Sequence, residues 1–280
     1  MRKLLTRTVV GVAYVAVMVA GTMLRPWTLL LLVLTLTALA VHELAHIVST
    51  GCGLMVNRSA LACSALFFPL ATFFSCTLTE VNVLLLFVPW LATLLFFFIF
   101  EVGQNHPNHI GNLGLMSLVQ LYVVVPLSIL LVLAVGPVSA QTVDEPFWLF
   151  PLGTYIFLWL DDSGAYLIGS LLGRHKLAPK ISPGKTWEGA AGGLVLTMVA
   201  AFVMARLFPC MGIGKWMGMA IVVVVFGTFG DLTESLIKRQ LGLKDSGRML
   251  PGHGGILDRI DSMLLALPAV LVYLVLCGLA

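Results

Sequence analysis

Runs of roughly 20 apolar residues, the length a helix needs to cross the hydrocarbon core of a bilayer, recur along the whole of this 280-residue chain. They fall at about 8–24, 27–47, 60–76, 81–101, 114–136, 146–169, 189–208, 216–235 and 260–279. In lipid every backbone polar group needs an internal partner, so runs of this length without strand-like alternation read as helices. The expected fold is an all-α polytopic integral membrane protein with about nine transmembrane helices and a cytoplasmic N-terminus. Composition excludes a soluble domain. Charged residues make up 10% of the chain, against about 25% in soluble proteins, and mean hydropathy is +1.03. The run at 60–76 is short, and the run holding Pro126 is expected to bend.

Basic residues set the orientation. With nine helices, thirteen Lys and Arg fall on the inner side, and Arg25, Arg206 and Lys215 alone fall outside. Arg2, Lys3 and Arg7 before the first run resemble a signal peptide, but no small-residue cleavage site follows, so the run is expected to stay as a first helix. Cys52, Cys63, Cys76, Cys210 and Cys277 are scattered without a C-x-x-C pair, which argues against a disulfide framework or a thiolate metal site.

The halves differ in chemistry. Residues 1–141 read as N-terminal transmembrane helices with few ionisable groups, their longest polar connection being Gln104-Asn105-His106-Pro107-Asn108-His109. Residues 142–280 read as the catalytic transmembrane region, following an outward loop from Gly136 to Glu145 and carrying two charged cytoplasmic loops. Charges at membrane depth are costly and mark function by default.

The first charged stretch runs from Asp161 to Gly189. Asp162, Tyr166, Gly169 and Gly173 share a helical face, where glycines admit a second helix or a ligand. Either Asp161 or Asp162 can face inward. Gly184-Lys185-Thr186 is not a P-loop, because Pro179 stands where that motif needs Gly. It reads as a turn presenting Lys185 and Thr186 at a helix start, where an anion is favoured.

The second stretch runs from Gly230 to Ser262. Asp231, Ser235 and Lys238 share one face, and Asp258 and Asp261 open the last apolar run. Acids interleaved with Lys238, Arg239, Lys244 and Arg248 suit a divalent metal with polyphosphate. Mg²⁺ takes one or two carboxylates and fills its shell with water and phosphate oxygens.

From Ser235 to Asp261 the chain resembles, without a gap, the signature of phosphatidate cytidylyltransferases, S-x-x-K-R-x-x-x-x-K-D, a Gly, then P-G-H-G-G-x-x-D-R-x-D. The upstream "DSGAY" and "LAPKISPGKTWEG" are similar to that family's other conserved block, with Gly184 where many relatives have Lys. The likeness spans roughly 160–262; earlier residues share only the run of helices.

The resemblance implies transfer of CMP from CTP to phosphatidic acid, giving CDP-diacylglycerol and pyrophosphate in phospholipid biosynthesis. It implies Mg²⁺, with a second metal ion left open, and assigns Asp231 and Asp258 as metal ligands with Asp261 beside them. Lys238, Arg239 and Lys185 are then expected on the phosphates, and His253 with Gly254 and Gly255 in the nucleotide loop. Asp162, Ser182, Thr186, Glu188, Ser235, Lys244 and Arg259 are expected to complete substrate binding. Expected partners are CTP, phosphatidic acid, bilayer lipid and a second copy in a homodimer, with no nucleic acid. A bacterial inner membrane with the site facing the cytoplasm follows.

His42-Glu43-Leu44-Ala45-His46 matches the zinc-protease pattern H-E-x-x-H. A catalytic zinc also needs a third ligand. Intramembrane metalloproteases carry L-D-G there, whereas this chain has Leu257-Asp258-Arg259, already part of the longer match. The pentapeptide reads as a coincidence. Zinc proteolysis and a CTP-dependent lipid kinase are the alternatives carried forward; a transporter would not need the loop signature.

Overall fold

The computed structural model describes residues 2–137, 145–247 and 254–279, with side chains from residue 8 onward. The first half holds α1 (Arg2–Met23), α2 (Pro26–Cys52), α3 (Arg58–Ala65), α4 (Phe67–Thr77), α5 (Val83–Val102), α6 (His109–Val119) and α7 (Val125–Val135). The second holds α8 (Leu149–Leu172), α9 (Trp187–Leu207), α10 (Gly212–Gln240) and α11 (Leu257–Leu276). Among the described residues the exception to helix is a hairpin of β1 (Lys176–Ala178) and β2 (Ser182–Thr186), antiparallel, with Lys176 opposite Thr186 and Ala178 opposite Ser182. Most of the loop expected between Gly136 and Glu145 lies outside the described residues.

Seven helical stretches among the described residues are long and apolar enough to span a membrane. The nine expected runs also include α1 and α8, which are not among these seven. α1 is a helix of 22 residues, Arg2–Met23, apolar from Thr8 onward. α8 has 24 residues, but Asp161 and Asp162 sit in its middle and dilute its apolar character. The run holding Pro126 carries a π-helical turn, Gln120–Val124, just ahead of the proline, which cannot donate to the ladder.

α2 is the spine of the first half. Leu29, Val33, Ala40, Val41, Leu44 and Ala45 are wholly buried. α5 is the opposite case: Leu84, Leu85, Phe96 and Ile99 are exposed along a helix with almost nothing inside, as suits a surface that meets lipid.

Helices of the second half approach one another through glycine. A Cβ on Gly164 of α8 would meet the Gly192 carbonyl of α9 at 2.8 Å, and one on Gly230 of α10 would meet the Asp261 carbonyl of α11 at 2.6 Å. Small-residue seams of this kind are how helices associate where water supplies no driving force. They bring the acidic stretches of α8, α10 and α11 to one level.

Candidate active site

Two helices supply the acids. Asp231 and Glu234 lie one turn apart on α10, and Asp261 lies at the start of the second turn of α11. Ligand oxygens of all three fall within 4.8 Å of one another. Two like charges about 4 Å apart repel by ~4 kcal/mol at an effective dielectric near 20, so such a cluster calls for cations. Lys185, at the end of β2, reaches Asp231 Oδ2 at 2.5 Å, and Ser235 donates to Asp231 Oδ1 at 3.3 Å. Lys238 lies between Glu234, one turn earlier, and Asp258 Oδ1 at 2.6 Å.

Glu234 is 0% exposed, and neither carboxylate oxygen receives an aligned hydrogen bond although Lys238 stands at ion-pair distance. Lys238 is shared with Asp258, so one positive charge faces two carboxylates and a buried carboxylate still calls for a further cation. The trio offers only hard oxygens, the donor set that suits Mg²⁺. Sequence reasoning passed over Glu234, although its place three after Asp231 and four before Lys238 puts it on their face.

Asp258 is held differently. Its carboxylate accepts from Lys238, from the Gly255 N–H at 2.8 Å and from the Ser246 N–H at 3.1 Å. Gly254 has a φ of 83°, and any side chain there would run into Asp258. The glycine loop is thus folded around this carboxylate. Pro251, Gly252 and His253 lie outside the described residues, so the His253 expectation meets no structure.

Glu43, the middle acid of HELAH, supports the loop from the other side. It is 6% exposed and accepts from Ser246 Oγ, from the Ile256 N–H at 2.9 Å and from the Leu257 N–H at 3.2 Å. A carboxylate at the start of α11 satisfies two N–H groups that the helix leaves unpaired and complements its dipole. His42 and His46 are exposed, and His46 Nδ1 meets the Arg58 guanidinium. A cation beside that nitrogen opposes zinc, and Glu43 is already engaged. Glu43 is therefore not free to act as the base that the zinc-protease alternative needs.

Two cavities flank the acids. The first, of about 460 Å³, is lined by Asp162, Gly169, Ser182, Lys185, Thr186 and Asp231 among others. Thr186 caps α9, its Oγ1 accepting from the Gly189 N–H at 3.1 Å, so this cavity is floored by a helix start. The second, of about 240 Å³, lies against α1 and is lined by Val10, Tyr14, Trp159, Asp258, Arg259 and Asp261 with neighbours. Tyr14 donates to the Arg259 carbonyl at 3.0 Å and pins α1 there. Asp162 lines both cavities. Asp161 is packed into the α8–α9 seam, where a Cβ on Gly193 would strike its carboxylate. Asp161 also lines the first cavity, so both acids face it.

Three expected residues sit apart. Glu188 turns back to accept from the Arg174 and His175 N–H groups, each at 3.1 Å, and fastens the base of the hairpin. Arg239 donates to the Ile181 and Leu243 carbonyls at 3.3 and 3.0 Å, tying the hairpin turn to the end of α10. Lys244 lines a different hollow, with His46 and Thr50.

A model of the cytidylyltransferase family matches residues 5–277. A phosphatidate cytidylyltransferase of Staphylococcus saprophyticus is 48% identical over 126 residues, which is 44% of this chain and 48% of that protein. Those of Staphylococcus haemolyticus and Haemophilus influenzae are each 46% identical, over 126 and 122 residues, with 48% and 42% of their own lengths covered and 44% and 42% of this chain. The chain spans a little under half the length of the curated relatives it matches. The family match, by contrast, runs through both halves, from α1 into the last turn of α11: the chain belongs to the cytidylyltransferase family.

Proposed function

We propose that this protein transfers CMP from CTP to phosphatidic acid, producing CDP-diacylglycerol and pyrophosphate. The observation that carries the reading is the trio Asp231, Glu234 and Asp261, edged by Lys185 and Lys238, between a polar cavity and one that opens beside α1. The hairpin-side cavity takes the triphosphate, with Lys185 and the Thr186-capped start of α9 on its phosphates. The cavity against α1 takes the phosphate end of the lipid, beside Arg259. Asp162, common to both, stands where the two phosphates meet.

A phosphate monoester is largely ionised at neutral pH, its second pKa being about 6. The attacking oxygen needs no strong base, and the barrier falls through alignment of two anions and neutralisation of the charge between them. Asp231, Glu234 and Asp261 would hold Mg²⁺, which when bound offsets triphosphate charge. Lys238 positions Asp258 and Glu234, and Asp258 in turn fixes the glycine loop over the nucleotide. Lys185 leaves Asp231 for phosphate as substrate enters.

For the membrane we propose nine crossings, with α1 and α8 added to the seven apolar stretches and the N-terminus in the cytoplasm. The thirteen-to-three distribution of basic residues supports that count and direction. The site then opens on the cytoplasmic face of a bacterial inner membrane, in a homodimer as the family likeness implies. Protease protection of a tag at each terminus tests the topology: tags on opposite faces are expected, and tags on the same face contradict nine crossings. The reaction is tested with CTP labelled at the α- or γ-phosphate. Lipid labelled from the α-position supports cytidylyl transfer, whereas label from the γ-position means a lipid kinase.

A further inference from the structure

A second convergence of ligand atoms lies in the other half of the chain. Glu101, in the last turn of α5, is 2% exposed. His106 Nδ1 approaches its two oxygens at 3.0 and 3.1 Å, and His109 Nδ1 approaches Oε1 at 2.9 Å. All three ligand atoms fall within 4.8 Å of one another. Loop and helix start fold back on the end of α5 to make this group, which explains the polar connection in an otherwise apolar half.

Two features show a demand for a cation. A carboxylate at a helix C-terminus faces the negative end of the dipole, and a buried one needs a positive partner. Among the described residues no Lys or Arg forms an ion pair with Glu101; its ion-pair contacts are the two histidines. The second feature is a mismatch at His106. Asn112 Oδ1 accepts from the Met55 N–H at 3.0 Å, which fixes the amide, so Nδ2 is what faces Glu101 at 2.8 Å and His106 Nδ1 at 3.0 Å. If Nδ1 carries a proton, it meets the amide donor; if it does not, its lone pair meets the carboxylate. A divalent ion between nitrogen and carboxylate removes the second conflict.

We propose that Glu101, His106 and His109 bind a divalent transition-metal ion of the Zn²⁺ class, distinct from the divalent ion of the acidic trio. Two imidazoles and one carboxylate are a borderline donor set that favours zinc over magnesium. Ligand atoms about 2.1 Å from such an ion stand roughly 3.0–3.4 Å apart, so the present contacts need open by only a few tenths of an ångström. Asn112 orients the carboxylate from behind, the usual office of a group just outside a metal's ligands. His109 is half-exposed, which leaves a side open for water as the fourth ligand. The ion fastens the end of α5 to the start of α6.

The test uses the full chain in detergent, stripped with chelator, held in excess Mg²⁺ and titrated with Zn²⁺, with Co²⁺ as the spectroscopic probe. One Zn²⁺ per chain is expected with Mg²⁺ present, and Co²⁺ should give visible bands of a nitrogen-ligated ion. Glu101→Gln and His109→Ala should each weaken Zn²⁺ binding by at least about tenfold, while Asp261→Asn keeps it. His109→Ala, at a half-exposed position, carries the test if Glu101→Gln does not fold. No Zn²⁺ retained, equal affinity in the His109→Ala protein, or loss of Zn²⁺ in Asp261→Asn or in His42→Ala/His46→Ala would each overturn the proposal.

Discussion

The two convergences of ligand atoms differ in how they are built and in what they are suited to hold. Glu101, His106 and His109 lie within nine residues of one another, on one helix end, one loop and the next helix start. Asp231, Glu234 and Asp261 come from two long helices brought together at Gly230. The first is made of two imidazoles and one carboxylate, with no Lys or Arg in ion-pair contact among the described residues. The second is oxygen only and is bordered by Lys185 and Lys238. Bases beside an acidic site are wasted on a bare metal but needed for a polyanion that arrives with it. Donor softness separates the ions the two places suit, and the flanking lysines mark the place proposed for phosphate chemistry.

That contrast can be broken in order of expected effect. Asp261→Asn and Asp231→Asn each remove one oxygen ligand's charge from the trio and should lower turnover by about 10³-fold, with the protein still monodisperse in detergent. Asp258→Asn should lose nearly all turnover as well, through the loop that its carboxylate holds; normal activity in that variant would remove Asp258 from the site. Lys185→Ala should cost about 10²-fold in kcat/KM, and Lys185→Arg should recover part of it, since charge is kept while shape is not. Steady-state rates over a CTP range read both effects.

Glu43→Gln sharpens the comparison from outside the trio. The amide keeps one acceptor but turns an N–H toward the unpaired N–H groups of α11, at a cost of about 1–3 kcal/mol. The melting temperature should fall by several degrees and kcat by about tenfold, with KM for CTP nearly unchanged. Unaltered stability would mean that Glu43 does not hold the start of α11. The smallest effect belongs to His42→Ala/His46→Ala, expected to keep activity within about twofold because both side chains are exposed. A large loss there would restore meaning to the H-E-x-x-H spacing.

Much of this arrangement can be read from spacing, because helices carry their own periodicity. The apolar runs, the shared face of Asp231, Ser235 and Lys238, and the helix start after Lys185 need only local rules. Glu234 obeys the same rules and could have been found from them. Glu43 could not: its partners Ile256 and Leu257 are 213 and 214 residues away, and nothing along the chain announces that contact. The pairing of Glu101 with two histidines needs the loop to turn back on α5, which depends on Asn112 and the Met55 backbone. That Asp161 packs against Gly193 while Asp162 reaches both cavities needs the position of other helices. Local pattern decides which residues share a face, and tertiary packing decides what that face meets.

The central claim is that the lysine-edged acidic trio carries cytidylyl transfer. The most direct measurement incubates purified protein with phosphatidic acid, Mg²⁺ and CTP labelled at the α-phosphate, beside a reaction with γ-label and an Asp261→Asn control. The account predicts α-label in the lipid, pyrophosphate released in equal amount, and loss of both on chelation and in the variant. Lipid labelled from the γ-phosphate, or α-label transferred undiminished by Asp261→Asn, would contradict it.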